Sequence, residues 1–240
     1  MKYFVSADIH GFYDEWMAAL KGKGFDINNP EHKIVVCGDL FDRGRQPREI
    51  IDFVLANKEK IILIRGNHED LMQDMIDRNY NLSADLTNGT VYTIVDLYPD
   101  WYVTEFDLAK IAKETRLQEV LDLCINYFET EKYIFVHGWI PIIDNLCIYD
   151  PEWRMSRRER WRRARWISAL DMYKYKIFER NKVIVCGHWH CSALWHEQNP
   201  DVYEEFGENA NFEPFITEHM IALDACTVRS KKVNVVVLDN

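Results

Sequence analysis

Short apolar runs recur along the chain, and each of them ends in polar residues. Seven such runs predict β-strands, over 3–10, 33–40, 60–69, 132–138, 182–190, 219–225 and 232–239. Continuous apolar runs of this length are typical of strands that are buried on both faces. Segments with helical spacing of apolar residues lie between several of them and predict helices over 12–24, 46–59, 69–80 and 106–128. Strand–helix alternation of this kind predicts an α/β fold.

The remaining segments show no linker, repeat or low-complexity tract, so we expect one domain over 1–240. Residues 81–92 are polar and are predicted to form a loop between helices. Residues 139–181 are rich in tryptophan and arginine, and we interpret them as an insertion that caps one edge of the sheet.

Two features of this insertion have more than one interpretation. The stretch 154–165 contains seven arginines, which could form ion pairs with the acidic remainder of the chain or supply a second phosphate clamp, with Arg165 as the candidate. Trp153, Trp161 and Trp166 could pack the insertion or offer a platform for stacking bases.

The composition narrows the possible partners. The chain has a formal net charge of −10, which does not favour broad binding of nucleic acids or of anionic membranes. An anionic substrate would need a local source of positive charge, such as bound metal ions. The six cysteines form no CxxC pair, which favours reduced thiols and a cytoplasmic protein. The first residues reach Asp8 too soon for a signal-peptide core, and no apolar run is as long as a membrane span.

Unusual polar residues stand where five of the predicted strands end. They are Asp8 and His10; Asp39, Asp42 and Arg43; Asn67 and His68; His137; and His188 and His190. In open α/β sheets, functional groups gather at the carboxyl ends of the strands, so we expect these residues to meet at one rim. Buried carboxylates are costly unless other groups compensate their charge.

The residue types at these strand ends are typical of a site for divalent metals. Carboxylate, imidazole and amide oxygen ligands suit ions of the Mn, Fe and Zn type. Asp8 and His10 are two positions apart, so on an extended strand they would point to the same side, and the same holds for His188 and His190. The set of ligands is too large for one ion, and we therefore predict two ions that share Asp39.

The ordered motifs DxH, GDxxDRG, GNHE, VHG and GHxH together resemble the calcineurin-like metallophosphoesterase superfamily. The forms "GDLFDRG" and "GNHE" resemble its PPP-type branch, which contains serine/threonine protein phosphatases and symmetrical dinucleoside tetraphosphatases. The resemblance implies a four-layer α/β/β/α sandwich, in which two mixed sheets pack face to face with helices outside.

The resemblance also implies a role for each residue. One metal would be held by Asp8, His10, Asp39 and His190, and the other by Asp39, Asn67, His137 and His188. His68 would protonate the leaving group and Asp42 would orient His68. Arg43, together with Asn67, would contact the phosphoryl group. Two cations held in this way can activate water and stabilise the charge that develops during phosphoryl transfer.

The implied function is metal-dependent hydrolysis of phosphomonoesters, with serine/threonine phosphoproteins as the leading substrates. The alternative is hydrolysis of dinucleoside polyphosphates by symmetrical cleavage of a tetraphosphate, and a cyclic phosphodiesterase or nuclease ranks third. From another class, the chain could be a catalytically inactive regulatory module that binds metal. Two manganese ions are the expected cofactors, although iron, zinc and nickel accept the same ligands.

Overall fold

The computed structural model describes residues 1–98, 107–143 and 147–239, and most of its β-strands belong to two sheets. The strands are β1 Lys2–Ser6, β2 His32–Cys37, β3 Ile61–Ile64, β4 Phe128–Glu129, β5 Tyr133–Phe135, β6 Ile142–Ile143, β7 Ile148–Tyr149, β8 Val183–Cys186, β9 Phe215–Ile216, β10 Met220–Ala222 and β11 Val236–Asp239. Strands β6 and β7 form a separate two-stranded sheet inside the predicted insertion.

Helices follow most of the long strands, as the alternating pattern predicts. They are α1 Tyr13–Gly22, α2 Pro47–Ala56, α3 Asn67–Arg78, α4 Ser83–Asn88, α5 Thr90–Leu97, α6 Leu108–Glu114, α7 Leu117–Leu123, α8 Arg158–Ala164, α9 Ala169–Tyr175, α10 Cys191–Gln198 and α11 Thr227–Ser230. Within the described ranges, none of them has both the length and the hydropathy required to span a membrane.

Both large sheets are mixed. The first has the order β11-β1-β2-β3, in which β1, β2 and β3 are parallel and β11 is antiparallel to β1. The second has the order β4-β5-β8-β10-β9, in which β5, β8 and β10 are parallel and the two edge strands are antiparallel. The parallel strands of each sheet therefore end at a common edge.

Three apolar clusters account for the layers. The cluster between the sheets takes residues from both of them: Tyr3, Val5, Ala7, Val35, Cys37, Ile64, Phe135, Val185, Ile221 and Leu223. A second cluster joins the outer face of the first sheet to helices that include α1, α2 and α3. A third joins the outer face of the second sheet to α10 and to the insertion, whose Trp153 and Trp161 are buried in it. The predicted α/β architecture, with two mixed sheets and flanking helices, is confirmed.

The predicted loop over 81–92 is wrong, because α4 and the start of α5 lie there. Gly89, at φ 93°, separates the two helices. Val91, Ile94 and Leu97 recur at a helical interval and pack into the cluster of the first sheet. Tertiary burial of this stripe outweighs the polar composition that favoured a loop.

The single helix predicted over 106–128 is also wrong. Residue 106 lies outside the described residues, and the rest forms the short helices α6 and α7, which meet at Arg116. Arg116 has a left-handed backbone with φ 63°, a conformation that cannot continue a right-handed helix. The chain leaves α7 at Leu123 and enters β4 at Phe128.

Candidate metal centre

The predicted ligands converge at the carboxyl ends of the parallel strands. Asp8 follows β1, Asp39 follows β2, Asn67 begins α3 after β3, and His137 follows β5. These four side chains are buried, and His188, which follows β8, is half-buried. The structure thus brings residues that are distant in the chain to one rim between the two sheets.

The backbone at this rim is left-handed at several residues that are not glycine. Positive φ angles occur at Asp8, His10, Asp39, Asp42, Arg43 and His188. The strands therefore end before these residues, so Asp8 and His10 do not stand on an extended strand, although His10 Nε2 still lies 4.0 Å from Asp8 Oδ1. Such conformations are costly and persist where surrounding contacts impose them, typically at functional sites. Here the amide of Asp8 donates to Gly38 O at 3.1 Å, and that of His10 donates to Asp39 O at 2.9 Å.

Glu69 shapes the turn that carries Asp39, a role that was not predicted from its place in the GNHE motif. The Oε2 of this buried carboxylate accepts from the amides of Asp39 at 2.9 Å and Gly66 at 2.7 Å, and its Oε1 accepts from the amide of Leu40 at 2.8 Å. Burial raises the pKa of Glu69, and the three backbone bonds oppose that rise. The GNHE motif was the one signal in the sequence that pointed to Glu69. A glutamate at the start of a helix is otherwise expected to be exposed to solvent.

His137 is oriented so that one ring nitrogen is free to bind a cation. Its Nδ1 lies 2.8 Å from Cys37 O, an acceptor, and must therefore carry the proton. The lone pair of Nε2 then faces two further acceptors, Asn67 Oδ1 at 2.7 Å and Asp39 Oδ1 at 3.3 Å. Burial lowers the pKa of His137, which keeps the ring neutral. Three acceptors that meet in this way, with Asp39 ionised, are a candidate cation site.

His10 repeats this arrangement on the other side of Asp39. Its Nδ1 donates to Phe41 O at 2.9 Å, so the Nε2 lone pair faces Asp39 Oδ2 at 3.6 Å and Asp8 Oδ1 at 4.0 Å. Burial lowers the pKa of His10 as well. The two oxygens of Asp39 therefore face different histidines, which is the geometry expected of a shared ligand.

The negative charges of the buried acidic side chains at the rim are unfavourable unless cations or protons neutralise them. Burial raises the pKa of Asp39 to about 7, and burial together with the charges of Asp224 and Asp39 raises that of Asp8. Two overlapping groups have ligand atoms within 4.8 Å of one another: His10, Asp39 and His68; and Asp39, His137 and His188. The nitrogen and oxygen donors fit two divalent cations of the Mn, Fe or Zn type.

His188 completes the second group through Nδ1, which lies 3.1 Å from Asn67 Oδ1. Burial lowers its pKa to about 4, and a hydrogen bond from its ring to the backbone carbonyl of Trp166 opposes that shift. The amide of His188 donates to Asp8 Oδ2 at 2.9 Å. This last contact links the ligands that follow β1 and β8.

His68 belongs to the first group, and Asp42 and Arg43 lie beside it. His68 Nδ1 is 2.6 Å from Asp42 Oδ2, and Arg43 Nη2 is 3.3 Å from His68 Nε2. Asp42 also accepts from the hydroxyls of Thr90 at 3.0 Å and Thr93 at 2.8 Å. These two threonines were missed in the sequence because they lie in α5, in and just after the predicted loop.

His190 is a member of neither group, and its Nε2 lies 2.8 Å from Glu205 Oε1. Its ring stacks on Trp189 at 5.4 Å and contacts Phe206 at 4.7 Å. Its assignment as a metal ligand stays a prediction.

The arginine-rich stretch 154–165 forms ion pairs. Four of its members contact carboxylates: Arg154 with Glu129, Arg160 with Asp150, Arg162 with Asp74 and Arg165 with Asp70. Arg165 is buried and also donates to Arg65 O and Asn126 Oδ1. These contacts favour ion pairing over the phosphate clamp for this stretch.

Known proteins resemble this chain in sequence and in fold. The family model described as calcineurin-like phosphoesterase matches residues 1–192. The symmetrical bis(5'-nucleosyl)-tetraphosphatase of Buchnera aphidicola is 33% identical over 161 residues, which are 65% of this chain and 52% of that protein. The asymmetrical bis(5'-nucleosyl)-tetraphosphatase PrpE of Bacillus subtilis is 41% identical over 76 residues, which are 28% of this chain and 31% of that protein.

Solved structures share the fold at low sequence identity. The cold-active protein-tyrosine phosphatase of a psychrophilic Shewanella has a TM-score of 0.56 and 17% identity, covering 100% of this chain and 75% of that one. A putative diadenosine tetraphosphatase has a TM-score of 0.50 and 12% identity, covering 100% and 94%. The chain spans about a third to a half of the curated relatives that it matches. On its family match and its fold, the chain belongs to the calcineurin-like phosphoesterase family.

Proposed function

We propose that the chain is a dinuclear-metal phosphohydrolase that cleaves dinucleoside tetraphosphates symmetrically. The observation that carries the metal-dependent chemistry is the position of Asp39, whose two oxygens face separate histidines, His137 at 3.3 Å and His10 at 3.6 Å. The preference for tetraphosphates is supported by the curated relatives, which are named as bis(5'-nucleosyl)-tetraphosphatases. Symmetrical cleavage is supported by the relative from Buchnera aphidicola, which matches the larger share of this chain, whereas PrpE of Bacillus subtilis is named as asymmetrical.

The proposed ligands have complementary roles. Asp8, His10 and Asp39 would hold one cation, and Asp39, Asn67, His137 and His188 would hold the other. When bound, two divalent ions supply Lewis-acid stabilisation of phosphoryl oxygens and activation of water. The backbone carbonyls that accept from His137 and His10 hold each ring in the tautomer that binds a cation. Manganese is the proposed ion.

His68 is the proposed proton donor to the departing oxygen. Burial would lower its pKa, but the charge of Asp39 and the hydrogen bond with Asp42 outweigh burial and raise it. Asp42 holds Nδ1–H, so Nε2 is the atom that presents a proton to the substrate. Arg43 lies beside Nε2 and is exposed, and it is the proposed donor to the phosphoryl oxygens.

The proposed substrate differs from the leading substrate that the sequence analysis predicts. The sequence alone favours phosphoserine and phosphothreonine proteins, with dinucleoside polyphosphates as the alternative. The curated relatives favour the alternative. A protein phosphatase is the second candidate, because a protein-tyrosine phosphatase shares the fold over the whole of this chain.

A cytoplasmic location fits the proposed nucleotide substrate. The six cysteines of the chain are free in the structure, as expected for a protein in a reducing compartment.

A substrate panel tests the proposal. The protein would be assayed with Mn²⁺ on diadenosine tetraphosphate, a phosphoserine peptide and a cyclic nucleotide, with chromatography of the products. We expect diadenosine tetraphosphate to be the best substrate and ADP to be its only product. ATP and AMP as products would indicate asymmetrical cleavage, and faster turnover of the phosphopeptide would favour the second candidate. An inactive protein that still binds two metals would favour the regulatory module.

A further inference from the structure

Trp166 is an exposed aromatic residue beside the candidate metal centre. It follows α8, and its side chain is 53% exposed, whereas Trp153 and Trp161 of the same insertion are buried. The centroid of its ring lies 5.7 Å from that of His188, at an interplanar angle of 85°. A large, half-exposed ring therefore lies beside a site that is otherwise built from charged and polar groups.

The backbone of Trp166 is anchored at the end of α8. Its amide donates to Arg163 O at 2.9 Å, which ties it to the turn at the end of α8. The preceding residue, Arg165, is buried and donates to Asp70 at 2.7 Å and to Arg65 O at 3.0 Å. A ring mounted on a fixed backbone loses little freedom when a ligand covers it.

Selectivity for a nucleotide requires a contact with its nucleoside in addition to the contacts with its phosphates. The cations and Arg43 attract phosphoryl oxygens, but they do not recognise a nucleoside. Stacking on an aromatic side chain accepts every base, because each base has a π-face. The exposed indole of Trp166, beside a proposed metal ligand, offers such a face to the nucleoside end of a phosphate-bound substrate.

We propose that Trp166 stacks on the base of the nucleotide substrate and thereby makes the site selective for nucleotides over simple phosphates. This inference rests on the proposed function, because it assumes a nucleoside polyphosphate as the ligand. Trp166 is thus assigned as a specificity-determining residue.

Equilibrium binding tests this role without turnover. Calorimetry of the manganese-loaded protein would compare ADP, the product of symmetrical cleavage, with pyrophosphate. We expect the wild-type protein to bind ADP about tenfold more tightly than pyrophosphate. Trp166→Ala should bind both equally, and Trp166→Phe should keep most of the preference. These substitutions change none of the proposed metal ligands, so the manganese content should not change.

A matched control is Tyr175→Ala, which removes another exposed ring of the insertion, at the end of α9. This variant should bind like the wild-type protein. An unchanged ADP preference in Trp166→Ala, or equal weakening of ADP and pyrophosphate, would overturn the inference. Failure of the proposed function has a different signature: wild-type protein that prefers ADP through Trp166 but does not cleave diadenosine tetraphosphate.

Discussion

Asp42 Oδ2 lies 2.6 Å from His68 Nδ1, and both side chains are buried. The hydroxyls of Thr90 and Thr93 donate to the same carboxylate, so Asp42 is held in place from α5. A carboxylate bound to one nitrogen of an imidazole leaves the other nitrogen to act as an acid. The pair therefore has the geometry of a positioned proton donor next to Arg43.

The first prediction concerns this proton donor. We expect His68→Asn to lower kcat by about 10²- to 10⁴-fold, because general acid catalysis contributes that much. Both metals should stay bound, since His68 is not among the proposed ligands. Elemental analysis and steady-state kinetics check the two halves of the prediction. His219→Asn, at an exposed histidine, is the control. Loss of metal in His68→Asn would instead make His68 a ligand, in line with its place in the first geometric group.

The second prediction concerns Glu69. Glu69→Gln replaces one carboxylate oxygen with an NH2 group. This group is a donor and cannot accept a hydrogen bond from the backbone N–H that the oxygen contacts. We expect the free energy of unfolding to fall by about 1–3 kcal/mol, the usual cost of an unsatisfied buried group. Urea denaturation in the presence of a chelator measures this loss apart from metal binding. Metal affinity should fall as well, because the turn that carries Asp39 loosens.

Glu114→Gln is the control for this experiment, because Glu114 lies at the exposed end of α6. Its stability should stay within about 0.5 kcal/mol of the wild-type protein. Equal stability of Glu69→Gln and Glu114→Gln would mean that the three backbone bonds do not hold the turn.

The third prediction concerns the pH dependence of metal binding. Burial raises the pKa of Asp39 to about 7 in the metal-free protein, so below pH 7 a cation must displace a proton from it. We expect manganese affinity to fall as the pH drops from 8 to 6, with proton release on binding. Calorimetry in buffers of different ionisation enthalpy measures that release. Binding without proton release near pH 6.5 would contradict the raised pKa.

The fourth prediction concerns Glu129, which joins β4 to the insertion. Its hydrogen bond with Arg154 lowers its pKa to about 2, with a further bond from Lys182. A depressed pKa stabilises the fold above the unfolded value of about 4.3, and this contribution is lost as the pH falls toward 2.

Glu129→Gln should therefore lower the free energy of unfolding at pH 7 by about 1 kcal/mol, because the pair is partly exposed. The difference from the wild-type protein should shrink between pH 4.3 and 2, which urea denaturation across that range would reveal. Glu218→Gln, at an exposed glutamate, is the control. A difference that stays constant down to pH 2 would show that the ion pair is not its source.

Much of the centre could be predicted from the sequence because its ligands belong to short motifs at strand ends. Asp39 and His137 follow apolar runs, and parallel strands bring such ends to one edge. The left-handed backbone of Asp8 and His10 could not be predicted in this way, because it depends on contacts such as the bond from Asp8 N to Gly38 O. The pattern of neighbouring residues in the sequence does not reveal these long-range contacts.

The errors in the helices have the same cause. Residues 81–92 have a loop-like composition, but burial against the first sheet makes α5 helical and brings Thr93 to Asp42. Arg116 has good helix propensity, and yet it adopts a left-handed turn that lets α6 and α7 pack separately. Tertiary packing overrides local preference in both places.

Metal stoichiometry tests the central claim, that Asp39 is shared by two cations. Elemental analysis of protein dialysed against manganese should find about two ions per wild-type chain, about one in His137→Ala, and none retained by Asp39→Asn. His219→Asn should match the wild-type protein. Retention of two ions by Asp39→Asn, or a single ion in the wild-type protein, would contradict the account.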